Sequence, residues 1–278
     1  MALAEASGTA AAERASGSSF YNAMRVLPRA QREAMFEIYA FCRQVDDIAD
    51  SRGPRALRRE QLACWRTDID ALYADKPVPR TQGLVAPVGD FGLRREDFHA
   101  VIDGMEMDVV ADIRAPDEAT LDLYCDRVAS AVGRLSVHVF GMEEPEGLAL
   151  AHHLGRALQL TNILRDLDED ASIGRLYLPA QVLRTAGISA TDPASVLASP
   201  ALGIVCANVV ERARGHFAQA DIVMARNPRR TVRAPRIMAE AYRAILDRLV
   251  DRGWSSPRRP IHLPRARLLW IIMRHAFV

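Results

Sequence analysis

Along most of the chain the apolar residues return at steps of three, four and seven, the repeat that gathers side chains on one face of a helix. Ala34, Ile38, Phe41 and Val45 follow it, as do Leu121, Val128, Leu135 and Val139, and the alternation expected of strands is scarce. The pattern predicts helices at about 18–27, 29–50, 55–74, 94–112, 118–140, 145–170, 193–226, 235–252 and 265–275. Pro28 can open the second of these and Gly53-Pro54 divides the second from the third. Lys76 to Gly92, rich in proline and glycine, reads as the longest connection. No linker-like stretch or solenoid repeat breaks the series. The expectation is an all-α chain with one bundle-like domain over residues 16–278, after an alanine-rich, disordered tail over residues 1–15.

Composition narrows what such a bundle can do. The 278 residues are 49% hydrophobic, enough for a sizeable core, and 36 basic against 35 acidic side chains leave a net charge of +1. With no basic field to collect it, nucleic acid is not expected as a partner. Lys76 is the only lysine, and the arginine forks that make up the remaining positive charge suit phosphate, although a coding bias would produce the same excess. Cys42, Cys64, Cys125 and Cys206 lie far apart with no CxxC, which points to reduced thiols and away from a zinc or disulfide framework. The first residues carry Glu5 and Glu13 and lack a basic n-region, and no apolar run approaches the roughly 18–20 residues of a membrane span. A cytoplasmic protein is expected.

Two acidic clusters carry the candidate chemistry. Asp46 and Asp50 stand at i and i+4 near the end of a predicted helix, where like charges repel and negative charge opposes the helix dipole. Asp166 and Asp170 repeat the spacing, and Gln159 and Asn162 extend that stripe toward the N-terminus. Hard oxygen donors without histidine or cysteine suit Mg²⁺, which binds through a few carboxylates together with substrate phosphates. Arg43 shares the first acidic face, and Arg165 and Arg175 flank the second; each could hold diphosphate or simply pair with a neighbouring aspartate. His152-His153 lacks an HExxH partner and reads as exposed or core histidine, not a metal site.

At these residues the sequence resembles the squalene/phytoene synthase family, head-to-head prenyl transferases of the isoprenoid-synthase fold. The resemblance runs through Ser18-Ser19-Phe20-Tyr21, Tyr39-Ala40-Phe41-Cys42-Arg43 into Asp46-Asp47-Ile48-Ala49-Asp50, Tyr124-Cys125, and Gln159 through Asp170 to Arg175-Leu176-Tyr177-Leu178-Pro179. Within the family, Val101-Ile102-Asp103-Gly104-Met105-Glu106-Met107-Asp108 and Ala129-Ser130-Ala131-Val132-Gly133-Arg134-Leu135-Ser136 are most similar to bacterial members that make presqualene diphosphate for hopanoids. The resemblance implies an isoprenoid-synthase bundle around a central cavity, and Mg²⁺, two or three ions, held by Asp46, Asp50, Asn162, Asp166 and Asp170. It implies diphosphate contacts from Ser19, Arg43, Arg165, Arg175 and Arg259, and cavity roles for Tyr124, Gln159 and Tyr242.

The activity so implied joins two molecules of farnesyl diphosphate into presqualene diphosphate without NADPH and feeds downstream isoprenoid enzymes. A phytoene, dehydrosqualene or squalene synthase would share these clusters, and a non-catalytic helical scaffold or cation-binding module is the alternative of another class. Ser130 replaces the glycine of many relatives, and Gly17 stands where some carry a polar residue. The run from Ala129 to Gly133 serves either close helix packing or room for a prenyl chain. Arg265 to His275 fits a last helix packed on the core, with weak, salt-sensitive contact to anionic lipid at the inner membrane face expected beside it.

Overall fold

The computed structural model describes residues 24–276, so the tail, Ser19 and Tyr21 fall outside the described residues. Within them the long helices are α1 (Arg29–Asp50), α2 (Arg55–Tyr73), α4 (Arg95–Val110), α6 (Ala131–Val139), α7 (Glu144–Arg165), α11 (Leu202–Arg226), α12 (Arg229–Arg252) and α13 (Arg265–Ala276). Between them lie the shorter α3 (Val85–Phe91), α5 (Glu118–Cys125), α8 (Leu167–Ser172), α9 (Ala180–Thr185) and α10 (Pro193–Ala198). Among the described residues the only β pairing is one isolated bridge, Arg114 to Leu176, so the architecture is all-α as expected. None of these helices is long and apolar enough to cross a membrane.

Helix α7 forms the centre, packed against α6, α11 and α12. On α1 the buried residues Ala34, Ile38, Phe41 and Val45 form the face foreseen from spacing, and Ala49 extends it. Phe41 meets Trp65 of α2 and Phe98 of α4 edge to face at 5.3 and 5.1 Å. Such pairs contribute about 0.5–1.5 kcal/mol each beyond the area they bury, and here they fix the angle at which α1 delivers its acidic end.

Several boundaries differ from the expectation. The span 118–140 is interrupted by a π-helical turn at Asp126–Ser130, seated between Gly104 of α4 and Gly155 of α7. A Cβ on Gly155 would lie 2.7 Å from the Ser130 Cα, and one on Gly104 would lie 2.7 Å from Val128 Cγ1, so both glycines are needed for the close approach. The span 193–226 breaks at Ser199, which adopts an extended conformation (ψ 133°) because Pro200 follows it. Helix α12 begins after Pro228, six residues before Pro235, which it accommodates internally at the loss of one backbone hydrogen bond. The expected connection 76–92 contains a 3₁₀ turn (Pro79–Leu84) and α3, closed by Gly92 at φ +60°.

Candidate active site

Helix α1 carries Arg43, Asp46 and Asp50 to one end of a cavity of about 1390 Å³. The stripe from α7 arrives at the same end: Gln159, Asn162 and Asp166 line the cavity with Asp170 of α8. Asp166 interrupts the helix (φ −100°, ψ 14°), yet its amide donates to the Asn162 carbonyl at 2.8 Å and its carbonyl accepts from the Asp170 amide at 2.8 Å. The i, i+4 alignment of the two aspartates therefore survives the break. Deeper walls are apolar and include Val132, Val137, Phe140, Leu154, Leu158 and Ile245.

The electrostatics of the acidic end are unbalanced. Burial, then the neighbouring Asp50, push the Asp46 carboxyl up to about 6 despite Arg43. Burial, then Asp166, push Asp170 up to about 8. The Asn162 side-chain amide donates to Gln159 Oε1 at 3.4 Å, and its Oδ1 is buried without a hydrogen-bond partner. A partnerless buried acceptor beside carboxylates that resist ionising is what an oxygen-seeking divalent cation would relieve. The donor set at this end fits Mg²⁺.

Three arginines answer these charges. Arg43 reaches Asp46 at 3.3 Å and Asp47 at 3.0 Å, and Arg165 grips Asp166 with two contacts of 2.7 and 2.6 Å. Arg175, only 8% exposed, ties the two halves together: it donates to Asp50 at 2.7 Å and to the Ala49 carbonyl at 3.0 Å, and its Nε lies 3.9 Å from Asp108. Gly174 precedes it at φ +84°, a left-handed turn that redirects the chain after α8.

Asp108 of α4 is a site residue that sequence reasoning passed over. It is 3% exposed, accepts from Tyr124 at 3.0 Å and from Tyr177 at 2.7 Å, and burial raises its pKa. The two phenol rings stack at 4.7 Å. Desolvation and the Asp108 charge raise the Tyr124 hydroxyl well above its ordinary range, so it stays a neutral phenol. Tyr242 lines the cavity beside Arg165 and, after Asp166, helps hold that guanidinium charged.

Arg259 takes a different place from the one the resemblance implies. It is exposed and does not line the cavity, whereas its neighbour Arg258 does. The Arg258 side chain is 4% exposed and grips Asp168 with contacts of 2.9 and 2.6 Å, while it also donates to the Leu197 and Trp254 carbonyls. In a non-helical segment no periodicity tells which of two adjacent arginines turns inward. Ser130 is fully buried but points away from the cavity, where its hydroxyl donates to the His152 carbonyl at 3.3 Å and accepts from Arg156 at 3.0 Å. Gly133 serves both readings of the small-residue run, since it lines the cavity and a Cβ there would lie 3.1 Å from Ala151.

Comparison with known proteins agrees with this geometry. The chain is 63% identical over 262 residues to the presqualene diphosphate synthase of Rhodopseudomonas palustris and 60% identical over 262 residues to that of Sinorhizobium fredii, covering 94% of both partners in each case. A phytoene synthase of Synechococcus elongatus is 31% identical over 269 residues, covering 90% of this chain and 85% of its own. A dehydrosqualene synthase crystallised with ligand superposes with a TM-score of 0.85 at 22% identity, over 98% of this chain and 96% of that one, which shows the shared fold. The family model described as squalene/phytoene synthase matches residues 13–267. An acidic end built on α1, α7 and α8 over an apolar cavity, in a chain that matches this model almost throughout, places the protein in the squalene/phytoene synthase family.

Proposed function

We propose that this prenyl transferase joins two farnesyl diphosphates head to head into presqualene diphosphate and releases one diphosphate. The observation that carries the reading is the pairing of Asp46/Asp50 with Asp166/Asp170 at one end of a large apolar cavity. The choice of product rests on the relatives of 60–63% identity named presqualene diphosphate synthase. Asp46, Asp50, Asn162, Asp166 and Asp170 would hold Mg²⁺, two or three ions. Bound there, Mg²⁺ supplies positive charge to the diphosphate as its C–O bond breaks.

The chain's own residues do the rest. Arg43 and Arg165, at the rim, offer forks to diphosphate oxygens, as Ser19 is proposed to do from outside the described residues. Arg175 holds Asp50 in place from beneath, and Arg258 does the same for Asp168. The apolar walls keep water from the allylic cation until the 2,3-double bond of the second substrate attacks. Loss of a proton then closes the cyclopropane. Tyr124 is a poor proton acceptor here because its hydroxyl is committed to Asp108 and its phenolate is disfavoured by burial. Released diphosphate or a tyrosine-linked water remains as the base, with Tyr124, Gln159 and Tyr242 shaping the cavity around it.

Helix α13 presents Leu269, Trp270 and Met273 to solvent beside Arg267 and Arg274, while Ile271 is fully buried on the core. Leu268, Leu269 and Ile272 also line the cavity, so the same helix is proposed to brush an anionic membrane surface as prenyl substrates enter. The function is tested by incubating the protein with Mg²⁺ and farnesyl diphosphate, with and without NADPH, and identifying products by mass spectrometry. Presqualene diphosphate in both reactions is expected. Squalene formed only with NADPH, or phytoene formed from geranylgeranyl diphosphate, would replace this reading.

A further inference from the structure

On the face of α7 turned away from the cavity, the adjacent His152 and His153 meet His216 of α11. One ring nitrogen from each of the three lies within 4.8 Å of the others, and His153 Nδ1 stands 3.1 Å from His216 Nδ1. None of the three lines the reaction cavity. Two nitrogens bound to one tetrahedral ion at about 2.0–2.1 Å stand roughly 3.3 Å apart, so this pair needs little movement to share a metal. The rings do not lie flat on one another: His152 and His153 are at 87°, and His153 and His216 at 45°. His152 is exposed and the other two are half-buried, which leaves the outer side of the cluster open to water as a fourth ligand.

We propose that His152, His153 and His216 form a binding site for a zinc-class divalent transition metal ion, separate from the reaction cavity. Imidazole suits such ions, and a site bridging α7 and α11 would fasten the two helices that pack most extensively in the fold. The rings need no deprotonation to bind. Burial lowers the proton affinity of His152 and His153, and that of His216 to about 4, so all three offer lone pairs at neutral pH. The nearest cations are already engaged: Arg156 is held by Asp122 at 2.7 and 2.9 Å and by Asp126 at 3.2 Å, and Arg212 by Glu118 at 2.6 Å.

The test uses chelator-treated full-length protein with excess Mg²⁺ present to occupy the carboxylates, and titrates zinc alone. One zinc per chain is expected, with ¹⁵N-histidine NMR shifts at three of the seven histidines, His152, His153 and His216. The variants His216→Ala and His153→Gln are each expected to weaken zinc affinity at least about tenfold while the metal-free melting temperature and Mg²⁺-dependent turnover stay unchanged. The wild-type spectra decide the matter even if a variant folds poorly. Zinc affinity unchanged in both variants, or zinc shifts confined to other histidines, would overturn the site.

Discussion

Replacing Arg175 by methionine keeps much of the side-chain volume and removes the cation that stands 3.9 Å from the buried Asp108 carboxylate. At 3.9 Å and an effective dielectric of about 20 the attraction between the two charges is about 4 kcal/mol. Both groups are under 10% exposed, so solvent screens little of it, and loss of one partner of a buried pair typically costs about 3–5 kcal/mol. The contact with the half-exposed Asp50 adds little to that figure. Burial already raises the folded-state pKa of Asp108, and losing Arg175 raises it further. The folded variant then retains a proton that the unfolded chain has released, so its stability falls as pH rises from the ordinary carboxylate range to the folded value. Urea unfolding at about pH 5.5 and pH 8 measures this. Arg175→Met is expected to lose about 3–5 kcal/mol at the higher pH and to regain at least about 1.4 kcal/mol at the lower, the worth of one pKa unit. Arg175→Met/Asp108→Asn is expected to recover most of the loss, since no orphaned buried charge remains and Asp50 is half-exposed to water. A loss under about 1 kcal/mol, or one that neither pH nor the second substitution alters, would refute the reasoning.

Asp46→Ala, Asp50→Ala, Asp166→Ala and Asp170→Ala are each expected to lower turnover by orders of magnitude with thermal unfolding intact; near-normal turnover of Asp166→Ala at saturating Mg²⁺ would remove that residue from the metal set. Because Asp46 and Asp170 hold protons up to about 6 and 8, Mg²⁺ must displace them, and the concentration giving half-maximal turnover should fall as pH rises across that window. The drop should approach about tenfold per pH unit while one proton is displaced, and a flat profile would contradict it. The metal-free protein should lose stability as pH rises from the ordinary carboxylate value of about 4 up to about 6 for Asp46 and about 8 for Asp170, since the fold retains protons there that the unfolded chain has released, as melting temperatures against pH would show. Flotation with anionic liposomes should recover some wild-type protein at low salt and none of Trp270→Ala/Arg267→Glu; equal absence of both would leave α13 as a core helix alone.

What the sequence alone determined is the local part of the protein. Helical periodicity located α1, α2, α4, α7, α11 and α13 because a helix repeats within its own four-residue reach, and the same reach put Asp46 with Asp50 and Gln159, Asn162, Asp166 and Asp170 on common faces. The ordered motifs were specific enough to name the family. Tertiary structure decided whatever depends on residues distant in sequence. Asp108 looked like one position in an amphipathic helix until Tyr124, Tyr177 and Arg175 closed around it, and His216 gave no sign of meeting His152-His153 across two helices. Pro235 read as a helix start because a proline is ordinarily costly inside one, yet the packing of α12 offsets that cost. Arg258 and Arg259 are equivalent by charge and position, and only the path of a non-helical segment, fixed by the Leu197 and Trp254 carbonyls, turns the first inward and the second to solvent.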